Sequence, residues 1–181
     1  VVHSTTKFLN GHGNSIGGVI VDSGRFDWAS SDKYPALTTP NASYHDMIFT
    51  DALAPVGPIA FIIGCRVLGL RDLGPAMAPM NAFLTLTGME TLALRMERHC
   101  SNALALAQWL QKHPKIAWVS YAGLPGDTYH DLCQRYLGGK GGAVFTFGLK
   151  GGYEAGKTLV NATKLFSLLA NIGDTRSLII H

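Results

Sequence analysis

Val1-Val2-His3-Ser4-Thr5-Thr6-Lys7-Phe8-Leu9-Asn10-Gly11-His12-Gly13-Asn14-Ser15-Ile16-Gly17-Gly18-Val19-Ile20-Val21 is the stretch on which the reading of the chain turns. It opens as an apolar strand, enters a hydroxyl-rich turn ending in a single lysine, bends through glycine and returns as a second apolar strand. The glycines at 11, 13, 17 and 18 let the backbone pass close to a flat molecule where a Cβ would collide. Hydroxyls and N–H groups gathered beside one amine suit a phosphorylated aldehyde: the donors take the phosphate while the amine condenses with the carbonyl. The same letters also write a plain β-hairpin carrying a solvated surface lysine.

Working outward, 181 residues make one ordinary domain or parts of two, and a hydrophobic fraction of 47% is ample for a core. A formal charge of +3 with both signs interspersed, and no basic run, excludes a nucleic-acid surface and points to a small-molecule site. Cys65, Cys100 and Cys133 are widely spaced and form no C-x-x-C pair, which fits thiols in a reducing compartment better than a disulfide frame or a metal site. The most apolar run, Ala52 to Cys65, contains Pro55 and Pro58 and is cut by Arg66, too short to span a bilayer. With no signal-peptide pattern, a soluble cytoplasmic protein with no membrane partner is expected.

After the Val19–Val21 strand, Asp22 to Pro58 has no sustained period and reads as an excursion around a short helix, in which Trp28 and Tyr34 can serve simply to pin the loop. Asp22 itself reads as a turn residue. Ile59 to Leu70 predicts a buried apolar helix, and Asn81 to Thr87 another helical turn or two closed by Gly88. From Leu92 through Met96, His99, Ala103, Leu106 and Leu110 the spacing alternates four and three, predicting a long amphipathic helix. His99 lies on its apolar stripe with no metal-ligand neighbour and reads as a core histidine with one satisfied hydrogen bond. Beyond Pro114 the pattern predicts a strand at Ile116–Tyr121, a helix from Asp127 to Leu137 with Asp127 as N-cap, and a strand at Ala143–Phe147. A helix from Gly152 to Leu165 and a strand from Phe166 to Asn171 complete a small α/β lobe.

Residues 1–24, V-V-H-S-T-T-K-F-L-N-G-H-G-N-S-I-G-G-V-I-V-D-S-G, resemble the cofactor-lysine segment of the Cys/Met-metabolism family of pyridoxal-phosphate enzymes, and within it the O-acetylhomoserine sulfhydrylases. The likeness continues through L-R-D-L-G-P-A-M-A-P-M-N-A-F (70–83), G-M-E-T-L-A-L-R-M-E-R-H (88–99) and L-L-A-N-I-G-D-T-R-S-L-I-I-H (168–181), in the family's order.

The resemblance implies an α/β fold: the C-terminal half of a fold type I, aspartate aminotransferase-like large domain over residues 1–112, then part of a small C-terminal α/β domain over 113–181. It makes Lys7 the lysine that bonds pyridoxal 5'-phosphate and later moves protons, Ser4 and Thr6 the phosphate-contacting hydroxyls, and Asn171 a contact of the substrate α-carboxylate. Tyr44-His45-Asp46 would lie near the site entrance. The implied reaction is γ-replacement on O-acetylhomoserine by sulfide or a thiol, in a homotetramer whose sites are built between subunits. Cystathionine γ-synthases and the cystathionine and methionine γ-lyases share the fold and the lysine and stand as alternatives. The family's cofactor-stacking ring, pyridinium-pairing aspartate, most of its phosphate loop and its carboxylate-clamping arginine fall outside these residues. Arg176 is not at that arginine's motif position. The chain therefore reads as an incomplete site, a piece cut at both ends and inactive alone.

Overall fold

The apolar runs on either side of the lysine turn become β1 (Val2–Ser4) and β2 (Gly18–Ile20), a two-stranded sheet in which Val1 and Val21 exchange backbone hydrogen bonds of 2.7 and 2.8 Å. The structure, a computed structural model, describes all 181 residues. The chain divides into two compact units: Val1–His3 with Gly18–Pro79, and Ser4–Gly17 with Met80–His181.

In the first unit the expected excursion carries more helix than its sequence shows. It contains α1 (Pro35–Thr38), α2 (Phe49–Leu53) and single 3₁₀ turns at Ala42–Tyr44 and Ala54–Val56. Prolines and hydroxyl residues cut each piece to a turn or so, below the length at which a 3.6-residue period is visible. Its core is Leu37, Phe49 and Ala60, with Trp28, Tyr44 and Phe61 packed around it. Trp28 stacks on Phe61 with centroids 4.7 Å apart and meets Phe26 and Tyr34 edge-on, so it does pin the loop. Each such pair contributes about 0.5–1.5 kcal/mol beyond area burial. The predicted apolar helix exists as α3 (Ala60–Gly64) running into a π-helical segment, Cys65–Arg71, and is only partly buried.

The second unit is built on α4 (Pro79–Met89) and α5 (Leu92–Lys112). Gly88 does not close α4 but lies inside it, buried. A Cβ there would run into the backbone carbonyl of Asn10, so glycine marks a close approach and not a stop. On α5 the expected stripe is present, with Ala103, Ala107 and Leu110 at its buried centre. The helix stops at His113 because Pro114 forces the preceding residue into extended backbone, ψ 129°.

Ala103 and Ala107 pack on Tyr121 and Leu124, beside β3 (Ile116–Ser120). The next helix, α6 (His130–Leu137), begins three residues later than its letters predict, and Asp127 is not its N-cap. Instead the Asp127 carboxylate accepts from the N–H groups of Tyr121 at 3.0 Å and Tyr129 at 2.9 Å, joining strand end to helix start. Gly138, at φ 59°, ends α6 in the left-handed conformation, with the Gly139 N–H on the Cys133 carbonyl. β4 (Thr146–Leu149) pairs antiparallel with β3. After α7 (Gly152–Ala162), β5 (Ser167–Leu168) pairs in parallel with β6 (Leu178–Ile179).

Much apolar surface stays in contact with solvent. Val2 is 78% exposed, and Val19, Ile20 and Val21, which read as apolar strand, are also open. The chain leaves 12402 Å² accessible, where two separate compact bodies of its total mass would leave about 10,000 Å². No helix is long and apolar enough to cross a membrane.

Candidate active site

The lysine turn belongs to the second unit and closes on itself through Asn10, which has no exposed surface. The Asn10 N–H donates to the Thr5 carbonyl at 3.1 Å and its side-chain oxygen accepts from the His12 N–H at 3.1 Å. Its side-chain amide donates to Ser15, and its carbonyl meets His12 Nδ1 at 2.6 Å. The Gly11 N–H closes the turn on the Lys7 carbonyl at 2.7 Å. A buried polar side chain so fully engaged holds a loop in one shape, because every alternative leaves a buried group unpaired.

Residues 171–175 lie along one side of this turn. Lys7 Nζ donates to Asn171 Oδ1 at 2.6 Å, and the Thr175 N–H donates to the Gly11 carbonyl at 3.0 Å. Gly173, at φ 82°, sits where a Cβ would be 2.6 Å from the Phe8 nitrogen and 3.0 Å from the Lys7 carbonyl carbon. The Asp174 carboxylate occupies the space a side chain at Gly13 would need.

On α5, Arg95 spreads its guanidinium over the carbonyl oxygens of Phe8 at 2.9 Å, Leu9 at 3.4 Å and Gly88 at 2.7 Å. Burial pushes the proton affinity of this guanidinium down. One helical turn further on, His99 meets the Phe8 ring edge-on at 5.9 Å. Its Nε2 is buried with no partner, in contrast to the single satisfied bond its position predicts.

The hydroxyls behave differently from one another. Ser4 is exposed at the end of β1, whereas Thr6 Oγ1 accepts from the Gly17 N–H at 3.1 Å and donates to the Gly17 carbonyl at 3.2 Å. Thr5, between them, buries its hydroxyl without a partner. The turn thus presents one half-buried amine on a neutral amide oxygen, with three hydroxyls within four residues. Such an arrangement can attach an aldehyde at the amine and donate to an anion beside it. Arg95 lies outside the residues that the sequence singles out. Its one signal is a base in the first turn of a helix, the end where the macrodipole disfavours positive charge.

Across its whole length, residues 1–181, the chain matches the family of Cys/Met metabolism PLP-dependent enzymes. The chain belongs to this family. Among curated relatives of this Cys/Met metabolism chain, O-acetyl-L-homoserine sulfhydrylase 1 of Thermus thermophilus is 54% identical over 181 residues, which are 100% of the chain and 42% of that protein. Homocysteine synthase of Schizosaccharomyces pombe is 50% identical over 99% of the chain and 42% of its own length. The chain therefore spans less than half the length of these relatives. Among solved structures, a putative O-acetylhomoserine (thiol)-lyase of Campylobacter jejuni, with N'-pyridoxyl-lysine-5'-monophosphate, superposes with a TM-score of 0.88 at 38% identity, covering 99% of the chain and 44% of that structure. The fold is thus part of the fold type I architecture of pyridoxal-phosphate enzymes, and pyridoxal phosphate is the family's cofactor.

Proposed function

We propose that the polypeptide containing these residues replaces the acetate of O-acetylhomoserine with sulfide or a thiol, forming homocysteine or its thioether analogue and releasing acetate. The observation that carries this reading is the half-buried Lys7 amine seated on Asn171 Oδ1 at 2.6 Å, in a chain 54% identical to a protein named as an O-acetyl-L-homoserine sulfhydrylase.

These residues fit the cofactor. A single neutral acceptor holds the Lys7 amine, which leaves the nitrogen reachable by an aldehyde carbon. Ser4 offers an exposed hydroxyl, and Thr6 can turn its proton from the Gly17 carbonyl to a phosphate oxygen while still accepting from the Gly17 N–H. When bound, the cofactor supplies an electron sink for the pair left at the substrate α-carbon. Lys7 anchors it and moves protons at the substrate α- and β-carbons. Asn171, oriented by Lys7 through its oxygen, has two amide N–H donors for the α-carboxylate.

The same proposal places residues 1–112 in the cofactor-binding domain and 113–181 in the C-terminal one. It makes the enzyme a cytoplasmic homotetramer acting on small molecules, and the isolated 181 residues inactive. The open apolar strands β1 and β2 support this, since a covering chain would bury them.

Borohydride reduction of the purified polypeptide followed by peptide mass mapping tests the lysine, with a pyridoxyl group expected on Lys7. Product assays then separate the family's chemistries. Homocysteine from O-acetylhomoserine plus sulfide is expected, whereas turnover confined to breakdown of cystathionine or methionine would assign the enzyme to a γ-lyase, and cystathionine formed only when cysteine is the thiol would assign it to a γ-synthase.

A further inference from the structure

Lys7 carries its amine on a flexible four-carbon stem, so where the amine arrives depends on how firmly its backbone is held. The turn from Lys7 to Gly11 has inward-facing carbonyl oxygens that neither a strand nor a helix satisfies. Arg95 meets two of them, Phe8 at 2.9 Å and Leu9 at 3.4 Å, and also Gly88 at 2.7 Å, while its Nε donates to Thr91 Oγ1 at 3.2 Å. The socket is built for a guanidinium. A side chain at Gly11 would occupy the guanidinium position, and one at Gly88 would push away the Asn10 carbonyl. Four donated bonds on neutral acceptors use Arg's planar fork, which a lysine ammonium cannot reproduce.

We infer that Arg95 is a positioning residue for Lys7, its guanidinium fixing the peptide planes that follow the lysine and so aiming the amine. This rests on the reading of Lys7 as the cofactor lysine. Arg95 sits in the first turn of α5, where a positive charge opposes the helix macrodipole and where burial also disfavours it. A base retained at such a place is explained by the carbonyls it holds. Because α5 also packs on Tyr121 and Leu124 through Ala103 and Ala107, the lysine turn is referred through Arg95 to the unit's main core.

The test uses the full-length enzyme, with Arg95→Lys keeping the charge and Arg95→Ala removing it. In apoprotein, hydrogen exchange at the Asn10 and Gly11 amides is expected to speed up by about ten-fold or more in both variants, while α5 amides from His99 to Lys112 keep wild-type protection. In the loaded enzyme kcat is expected to fall by about 10–100-fold with KM for the amino-acid substrate changed by less than about three-fold. Millimolar guanidinium added to Arg95→Ala is expected to restore part of both. Unchanged loop exchange and kcat in Arg95→Lys would overturn the inference, as would α5 and loop amides losing protection together, which makes Arg95 a general stabiliser. If Arg95→Ala does not fold, Arg95→Lys carries the comparison. Absence of a pyridoxyl group on Lys7 in reduced wild type overturns the reading of the lysine itself, a result that the exchange data register separately.

Discussion

The Lys7 amine donates a 2.6 Å hydrogen bond to the side-chain oxygen of Asn171, a residue 164 positions away. Removing that oxygen leaves the amine without its acceptor and the substrate without the proposed amide donors. Asn171→Ala is expected to lower kcat/KM by about 10–100-fold, the range for losing a hydrogen bond to a charged group. Steady-state kinetics beside a cofactor absorbance titration reads this, and wild-type kinetics would remove Asn171 from the site.

Gly173 is the point at which the 171–175 segment touches the backbone of Lys7 and Phe8. Gly173→Ala forces a Cβ to within 2.6 Å of the Phe8 nitrogen at a left-handed φ of 82°. A loss of about 1–3 kcal/mol is expected. Denaturant midpoints measure it, and a neutral substitution would show that the two segments do not meet as described.

Gly88→Ala distinguishes propensity from packing. Inside a free helix the change stabilises by about 1 kcal/mol. Here the added methyl meets the Asn10 carbonyl, so the expected sign is reversed. Thermal unfolding decides between them, a raised Tm being the result that counts against this contact.

His99 gives the protein an acid sensitivity. Burial first, and then the positive charge of Arg95, holds its proton affinity below the ordinary value of 6.5. As pH falls through 6.5 the unfolded chain takes up a proton that the folded chain still refuses, so stability present above 6.5 is lost below it, down to the folded-state pKa. His99→Gln is expected to flatten the dependence of unfolding free energy on pH from 7 to 5. A variant profile parallel to wild type would sink the assignment.

Some of this was open to reading in the letters. Lys7 stands out because hydroxyls, a lone amine and glycines follow a strand, and α5 because its apolar spacing persists for six positions from Leu92 to Leu110. Gly88 misleads because glycine is a poor helix former in isolation, while its value here is a contact with a residue 78 positions earlier. Asp127 misleads likewise: a residue that caps helices well is used to tie Tyr121 to Tyr129. Ala107 is absent from the stripe as read, although it has no exposed surface, because its position falls between the large residues that mark the period. Arg95 was hidden for a different reason. Its partners are backbone carbonyls, which every residue possesses and no letter records.

The lysine turn and the segment that completes it stand at opposite ends of this stretch of chain, and the ribosome makes them in that order. At about 5–20 residues per second, Asn171 emerges roughly 8–30 s after Lys7. Throughout that interval the amine has neither its acceptor nor the backbone of Gly173 against its own. Completion of the site therefore lags behind synthesis of its lysine: a nascent chain carries the reactive amine for that whole interval before it has the means of holding it.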